Sequence, residues 1–489
     1  MMQIAELLSG LKYNTYGVNL RGYVKSVSSD SRTVAFGSLF VCIKGSKRDG
    51  HQFAEEAIRR GAVAVVSERY ICGLPCIVVK NTRVADAVIW DNFYGNPTRR
   101  MRMIAVTGTN GKTSTAAYLA SALNESGIKT ATIGTLGCSF CGEVSLFDGS
   151  AVCDIAAAMT TPDPQYLYKI LYQLRKKGAE AVVMEVSSHS IAQHKVCPIR
   201  FELGIFTNLS PEHLDFHESM EEYYKIKSSL IKKCKKAVIG CDCAYGRRLA
   251  AEIGRAVVTC DRSDAKWLRM SETGVSYEIE QCREMVSIVS SSPGFFTIQN
   301  TMLAAKAACV MGASNESIAI GIKAVPFIAG RMEKISECEA HGFHIFIDYA
   351  HTPDALASAI NCIKSIAGGR SVTVLFGCGG ERDRSKRSVM GAIAAELANR
   401  VIITSDNPRS ERKENIISDI LSGIRSYNNV RVIVDRRSAI EYAVSTAKKD
   451  EFILLCGKGH EKYETDRNGK HPFNEKDIVI SALSRLHRC

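Results

Sequence analysis

The sequence predicts an α/β protein of three domains: a small N-terminal α/β domain at residues 1–98, a central P-loop-type domain with a parallel sheet at 99–330, and a C-terminal Rossmann-like domain at 331–489. Two observations carry the prediction. From about Arg99 onward, short β-branched apolar runs alternate with helix-length stretches, the pattern of parallel strands joined by crossover helices. Most of these runs end in glycine-rich or polar loops, and that edge is where open α/β sheets bind ligands. At 489 residues, with 46% hydrophobic and 23% charged, the chain is long enough for each domain to bury a core.

The N-terminal block reads as strands at 38–43, 62–66 and 76–79 with a helix near 53–60, and it ends in the turn-rich Gly95-Asn96-Pro97-Thr98. In the central block the strand at 103–106 runs through a glycine turn into a helix, and further strands fall at 181–185, 203–206 and 237–239. The third block alternates again, with strands at 344–347, 372–376, 401–404, 430–434 and 452–455. No repeat or low-complexity segment interrupts the pattern.

No apolar run of about 18 residues is present, and no basic segment followed by an apolar core opens the chain. A cytoplasmic protein without membrane insertion is expected. The net charge is +12, which favours anionic partners. The basic residues are dispersed among acids. The densest cluster, residues 232–236, reads as a solvated helix end rather than a nucleic-acid patch, so no nucleic-acid partner is expected. The 18 cysteines are scattered. The single CxxC, Cys138 to Cys141, lacks the second pair a zinc site needs, and buried reduced thiols fit better.

Residues 105–115 read Ala-Val-Thr-Gly-Thr-Asn-Gly-Lys-Thr-Ser-Thr. Strand, glycine loop, Lys-Thr, helix is the layout of a phosphate cradle. Gly108 and Gly111 let backbone N–H groups approach phosphate oxygens, with Thr109, Asn110 and Ser114 in the same turn. Lys112 can reach the β- and γ-phosphates, Thr113 can ligate Mg²⁺, and the helix start adds a positive dipole end. Val106 stands where the first glycine of the standard spacing belongs, and an ordinary tight turn is the alternative. Glu185 closes a strand at the edge where a carboxylate can serve Mg²⁺. Residues 207–217 bring acids and histidines to a second loop, read as metal and nucleotide contacts. In the third block, four loops end strands: 348–354, 377–384, 405–409 and 457–461. Guanidinium groups beside acids and backbone amides suit a zwitterion such as an amino acid. Each loop alone reads equally well as surface.

Together with Ser29-Asp30-Ser31-Arg32, Thr160-Thr161-Pro162 and Gly330-Arg331-Met332-Glu333, these loops resemble the Mur ligase family over nearly the whole chain. The resemblance implies an ATP-dependent amide ligase of peptidoglycan synthesis, acting as a monomer. ATP phosphorylates the terminal carboxylate of UDP-N-acetylmuramoyl-L-Ala-D-Glu, and an amine then displaces phosphate. Asp406-Asn407-Pro408-Arg409 resembles the signature of the branch that adds meso-diaminopimelate. By the same resemblance Lys112, Glu185, His213 and Lys227 are catalytic, and Thr113, Glu185, His213 and Lys227 as a carbamate serve Mg²⁺. Asn208 and Asn300 would contact adenine, and Arg331 and Asp348 the ribose side. The UDP-dipeptide would meet Ser29, Ser31, Thr160, Thr161, Ser187, Gln193 and Lys195. The amino acid would meet Arg382, Asp406, Asn407, Pro408, Arg409, Gly457 and Glu461.

Four departures stand out. Met159 replaces a frequent asparagine, Lys195 a frequent arginine and Glu381 the usual aspartate, while Arg412-Lys413 replaces an acidic-proline continuation. Read without the resemblance, Lys227 is a solvated helix lysine. The alternatives are a lysine-adding ligase, a folylpolyglutamate synthase-like ligase, a plain P-loop NTPase and a non-catalytic UDP-sugar binder.

Overall fold

The computed structural model describes residues 1–45, 48–140, 159–212, 216–254 and 257–486. The fold is α/β in three domains, each built on its own sheet. By compactness the chain forms two units: Met1–Thr107 with Gly127–Phe206 and Tyr224–Ala237, and Gly108–Ser126 with Thr207–Tyr223 and Val238–Cys489.

The first unit contains a five-stranded sheet in the order Tyr13–Tyr16, Cys76–Val79, Ala62–Ser67, Ser38–Val41, Ser26–Ser28. The last four strands are parallel, and Tyr13–Tyr16 is an antiparallel edge. The predicted helix near 53–60 is Ala54–Arg59, entered through a 3-10 turn at Gly50–Phe53 that Asp49 caps. The helix Thr82–Phe93 starts at Asn81, whose side chain accepts from the N–H of Arg83 and Val84. Such a cap contributes about 1 kcal/mol.

The same unit holds a second run of strands. Gly137–Phe140 pairs antiparallel with Thr130–Gly134, and Ala181–Glu185, Arg102–Thr107 and Leu203–Phe206 follow in parallel. Every residue of Ala181–Glu185 and Leu203–Phe206 is buried, which is why both read as unbroken apolar runs. The register sets Glu185 opposite Val106 and Phe206 opposite Thr107, so the three strands end level at one edge.

In the second unit the helix Lys112–Glu125 packs against Phe295–Val310 and Asn315–Ala324. Ser121 Oγ donates to Gly321 O at 2.7 Å. A Cβ on Gly321 would lie 2.5 Å from Ala122 Cα, so this helix contact admits only glycine. A three-stranded antiparallel sheet, Lys266–Ser271, Gly274–Gln281 and Glu284–Ser290, has no counterpart in the sequence prediction. Its alternation places Val275, Tyr277 and Ile279 inside, and Tyr277 Oη lies 2.7 Å from Thr301 Oγ1.

The C-terminal sheet runs Glu333–Ile335, His344–Asp348, Phe452–Cys456, Val372–Phe376, Arg400–Ile403, Val430–Val432. Only the first strand is antiparallel. Successive side chains alternate between two cores. Phe346, Val374 and Leu454 enter one, and Ile345, Leu375 and Ile453 the other, as the two-residue period of a strand requires. The predicted strand at 430–434 ends earlier, at Val432.

Candidate active site

Strand Arg102–Thr107 leads by chain continuity into Gly108, at φ +149°, and Gly111, at φ +83°, begins the helix. Neither position has room for a side chain. A Cβ on Gly108 would lie 1.9 Å from Thr207 Oγ1, and one on Gly111 2.2 Å from Asn300 Oδ1. The 207–210 segment braces the loop. Asn208 O accepts from Thr109 N at 3.0 Å, Asn208 Oδ1 from Asn110 N at 2.9 Å, and Asn208 Nδ2 donates to Asn110 O at 3.2 Å. Thr207 Oγ1 adds a bond to the same carbonyl at 2.6 Å. Lys112 Nζ donates to Gly108 O at 3.0 Å and Thr109 O at 2.6 Å. Thr115 Oγ1 donates to Asn300 Oδ1 at 3.4 Å. Thr113 is buried and Ser114 half-buried in the first helical turn. The arrangement presents a rigid loop at the start of a 14-residue helix, suited to phosphate.

A cavity of about 340 Å³ lies in the same unit, lined by Asp242, Arg262, Phe295 and Ile298 among others. Gln299 Nε2 ties it to the loop, donating to Asp242 Oδ2 at 2.7 Å and Thr207 O at 3.4 Å. The sequence reading named none of these lining residues. The available signal was Asp242, just past the strand Lys236–Gly240.

In the first unit, Glu185 is 2% exposed. Its carboxylate accepts from Thr135 N at 3.0 Å and Thr135 Oγ1 at 3.1 Å. Thr160 Oγ1 lies 3.1 Å from Thr135 Oγ1. Thr161 Oγ1 donates to Glu185 O at 3.0 Å and accepts from Ser187 N at 3.1 Å. Four predicted residues, Thr160, Thr161, Glu185 and Ser187, thus form one hydroxyl-and-carboxylate network. Lys195 is buried and pairs with Asp163 at 2.7 Å. Gln193 is half-buried beyond the helix Ser188–Ala192. Ser29 is half-buried, and Ser31 is buried in a 3-10 turn capped by Asp30. The Arg32 side chain, bonded to Asp30, holds that carboxyl below its usual value. Lys227 corrects the bare sequence reading: it is 1% exposed, not solvated. His213 and Cys141 lie outside the described residues.

The C-terminal loops converge more closely. Asn407 is the hub: Nδ2 donates to Glu461 Oε2 at 2.7 Å, while Oδ1 accepts from Thr465 N at 2.8 Å and Lys458 Nζ at 3.1 Å. Those two donors fix which way the amide points. Lys458 is fully buried, also donates to Tyr463 O at 2.8 Å, and lies 3.7 Å from Asp406 Oδ1. Burial lowers the Lys458 pKa and raises that of Glu461, to which the Asp406 charge adds. Gly457 sits at φ +112°, and a Cβ there would lie 2.7 Å from Asp406 Oδ2. Arg409 is left-handed at φ +52°; its N–H donates to Thr465 O at 3.0 Å and its guanidinium to Gly380 O at 2.6 Å. Arg436 stands behind the loop, donating to Ser405 O and Cys456 O and pairing with Glu475 at 2.8 Å. Pro408 is buried beside Arg409, and Arg382 is exposed.

Asp348 clamps two backbones, accepting from Met332 N and Ala350 N at 2.8 Å each. Burial pushes its carboxyl pKa up. The Arg331 guanidinium stacks over the Tyr349 ring at 4.6 Å. Lys458 lies inside the predicted 457–461 loop, but neither it nor Arg436 and Glu475 is among the residues that the sequence points to. A lysine between two glycines carries no signal of burial.

Comparison with known proteins decides the family. Residues 23–87 match the Mur ligase family catalytic domain, 106–308 the Mur ligase middle domain, and 330–459 the Mur ligase glutamate ligase domain. The UDP-N-acetylmuramoyl-L-alanyl-D-glutamate--2,6-diaminopimelate ligase of Caldanaerobacter subterraneus subsp. tengcongensis is 39% identical over 497 residues, covering 100% of both chains. The chain belongs to the Mur ligase family. A solved structure of a UDP-N-acetylmuramoyl-L-alanyl-D-glutamate--2,6-diaminopimelate ligase matches this Mur ligase with TM-score 0.69 and 28% identity over 99% of each chain. Mycobacterium tuberculosis folylpolyglutamate synthase, with ADP and AMPPCP, matches at TM-score 0.64 and 17% identity, over 83% of this chain and 95% of its own. That second likeness is one of fold alone.

Proposed function

We propose that this Mur ligase is a cytoplasmic monomer that joins meso-diaminopimelate to UDP-N-acetylmuramoyl-L-Ala-D-Glu at the expense of ATP, through an acyl phosphate. The observation that carries the reading is the Asn407–Glu461–Arg409 cluster, in a chain 39% identical to a diaminopimelate-adding ligase. Glu461 is the acceptor for an ammonium, and Arg409 the bidentate partner for the carboxylate that distinguishes diaminopimelate from lysine. The division at 98/99 and 330/331 belongs to the same proposal. The three matched segments, 23–87, 106–308 and 330–459, support it.

The phosphate loop would take the ATP phosphates on Gly108–Thr113, with Lys112 turning from the loop carbonyls to the γ-phosphate. Asn300 and Asn208 would hold the loop and the base side, and Arg331 and Asp348 the ribose side. Thr113 and Glu185 offer the hard oxygen donors that Mg²⁺ takes, and Gly134 lets Glu185 lie flat, since a Cβ there would sit 2.0 Å from Oε1. His213 and Lys227 complete the proposed ligand set. Carbamylation would turn the buried Lys227 side chain into a metal-binding anion. Bound Mg²⁺ would offset the charge gathered where carboxylate meets phosphate. Ser29, Ser31, Thr160, Thr161, Ser187, Gln193 and Lys195 would bind and orient the UDP-dipeptide. Its terminal carboxylate attacks the γ-phosphorus and expels ADP, the neutral amine attacks the resulting acyl phosphate and gives up a proton, and phosphate departs.

Phosphate release with ATP, Mg²⁺ and the UDP-dipeptide, with meso-diaminopimelate or L-lysine in parallel, tests the reading. Turnover with diaminopimelate alone is expected. Turnover with lysine alone overturns the branch, and release needing neither amino acid overturns the ligase.

A further inference from the structure

Cys282 and Cys309 lie outside every residue assigned above. Cys282 is the first of two residues closing the hairpin between Gly274–Gln281 and Glu284–Ser290, where Gln281 pairs with Glu284. Cys282 at φ +52° and Arg283 at φ +66° are both left-handed, the geometry of a two-residue type I′ turn. Asn-Gly suits that turn and a cysteine does not, so local preference gives no reason for a thiol here.

The tertiary setting gives one. Asn315 latches the hairpin end: Nδ2 donates to Glu284 Oε2 at 2.7 Å, and Oδ1 accepts from Gln281 Nε2 at 3.1 Å. Cys282 Sγ then lies 3.0 Å from Cys309 Sγ, in the last turn of Phe295–Val310. Cys282 is exposed and Cys309 half-buried, so a reagent in solvent meets Cys282 first. Burial, and then the Cys282 contact, push the Cys309 thiol up to about 11. Cys309 therefore keeps its proton and is the natural resolving partner.

We propose that Cys282 and Cys309 form a dithiol site that exchanges with a low-molecular-weight disulfide. The Cys282 thiolate attacks one sulfur of RSSR, forms a mixed disulfide and releases RS⁻. Cys309 then loses its proton and attacks Cys282 Sγ, which closes the protein disulfide and releases the second RS⁻. The two protein thiols give up two electrons, and one RSSR becomes two RSH. The new bond ties the hairpin to the helix that also carries Asn300. This inference is independent of the ligase reading.

The test treats the full chain with oxidised glutathione, quenches by alkylation over time, and maps peptides without reduction by mass spectrometry. A peptide cross-linked through Cys282 and Cys309 is expected as the first protein disulfide to accumulate. Cys309→Ser is expected to stop with glutathione on Cys282, and Cys282→Ser to leave Cys309 unmodified over the same interval. A different cysteine pair oxidised first, or Cys309 reacting in Cys282→Ser as fast as in the parent, overturns the proposal. The parent arm needs no variant, so a substitution that misfolds leaves the test standing.

Discussion

Arg409 combines two tasks in one residue. Its backbone is left-handed and bonded to Thr465 O, and its guanidinium is held on Gly380 O. The remaining guanidinium N–H groups suit a planar carboxylate. Arg409→Ala is expected to lower kcat/KM for diaminopimelate by about 30- to 1000-fold, on the order of 2–4 kcal/mol, with KM for ATP unchanged. Steady-state kinetics in both substrates checks it, and an unchanged kcat/KM removes Arg409 from the amino-acid site. The sequence singles out Arg409 because Asp406–Arg409 is contiguous. It does not single out the support beneath it. Lys458, Arg436 and Glu475 reach the loop from different segments, and their burial appears only once the sheet is assembled. Only the reading without the resemblance makes Lys227 a solvated lysine, and a signal against it existed: Tyr224, Lys227 and Ile231 share one helix face, and all are about 1% exposed.

The strand, glycine loop and helix at 102–125 are the element most legible in the sequence, because strand, glycines and Lys-Thr are consecutive. The loop's bracing by Asn208 and Asn300 comes from distant segments. Gly111→Ala combines a positive φ with a Cβ 2.2 Å from Asn300 Oδ1. It is expected to raise KM for ATP at least tenfold and to destabilise by about 1–3 kcal/mol; calorimetry with ATP kinetics measures both. The antiparallel sheet at 266–290 was missed although Gly274–Gln281 alternates cleanly; a parallel-sheet expectation for the whole domain left it no place.

In the C-terminal domain the helix Ser385–Leu397 is tied down through Arg387, fully buried and 2.9 Å from both Glu411 and Asp419. The Arg387 hydrogen bond holds Glu411 down at about 2 against its usual 4.5. A depressed carboxyl stabilises the fold above its unfolded pKa, and that contribution is lost as pH falls from 4.5 toward 2. Tm is expected to drop across this window, and Glu411→Gln to be less stable at pH 7 with a shallower drop. Melting curves from pH 7 to 2 check it; a parallel fall in both proteins contradicts it.

At the scale of the whole molecule, the parallel pairing and the loops at strand ends follow from the alternation of apolar runs with helical stretches, so the α/β class was readable from sequence, while the spatial order of the strands was not. Family membership rested on the order of those loops, and the three matched segments agree. Many of the cysteines are buried as free thiols, as their place inside apolar runs suggested. Chemistry is the part that spacing alone conveys least, since a phosphate loop serves hydrolysis and ligation alike. The most direct measurement labels the terminal carboxylate of UDP-N-acetylmuramoyl-L-Ala-D-Glu with oxygen-18 and follows the label during turnover with ATP and meso-diaminopimelate. An acyl phosphate requires one carboxylate oxygen to leave with each phosphate, so labelled inorganic phosphate is predicted in step with product. Unlabelled phosphate would mean that no carboxylate oxygen passes to phosphate, and the acyl-phosphate account would fall.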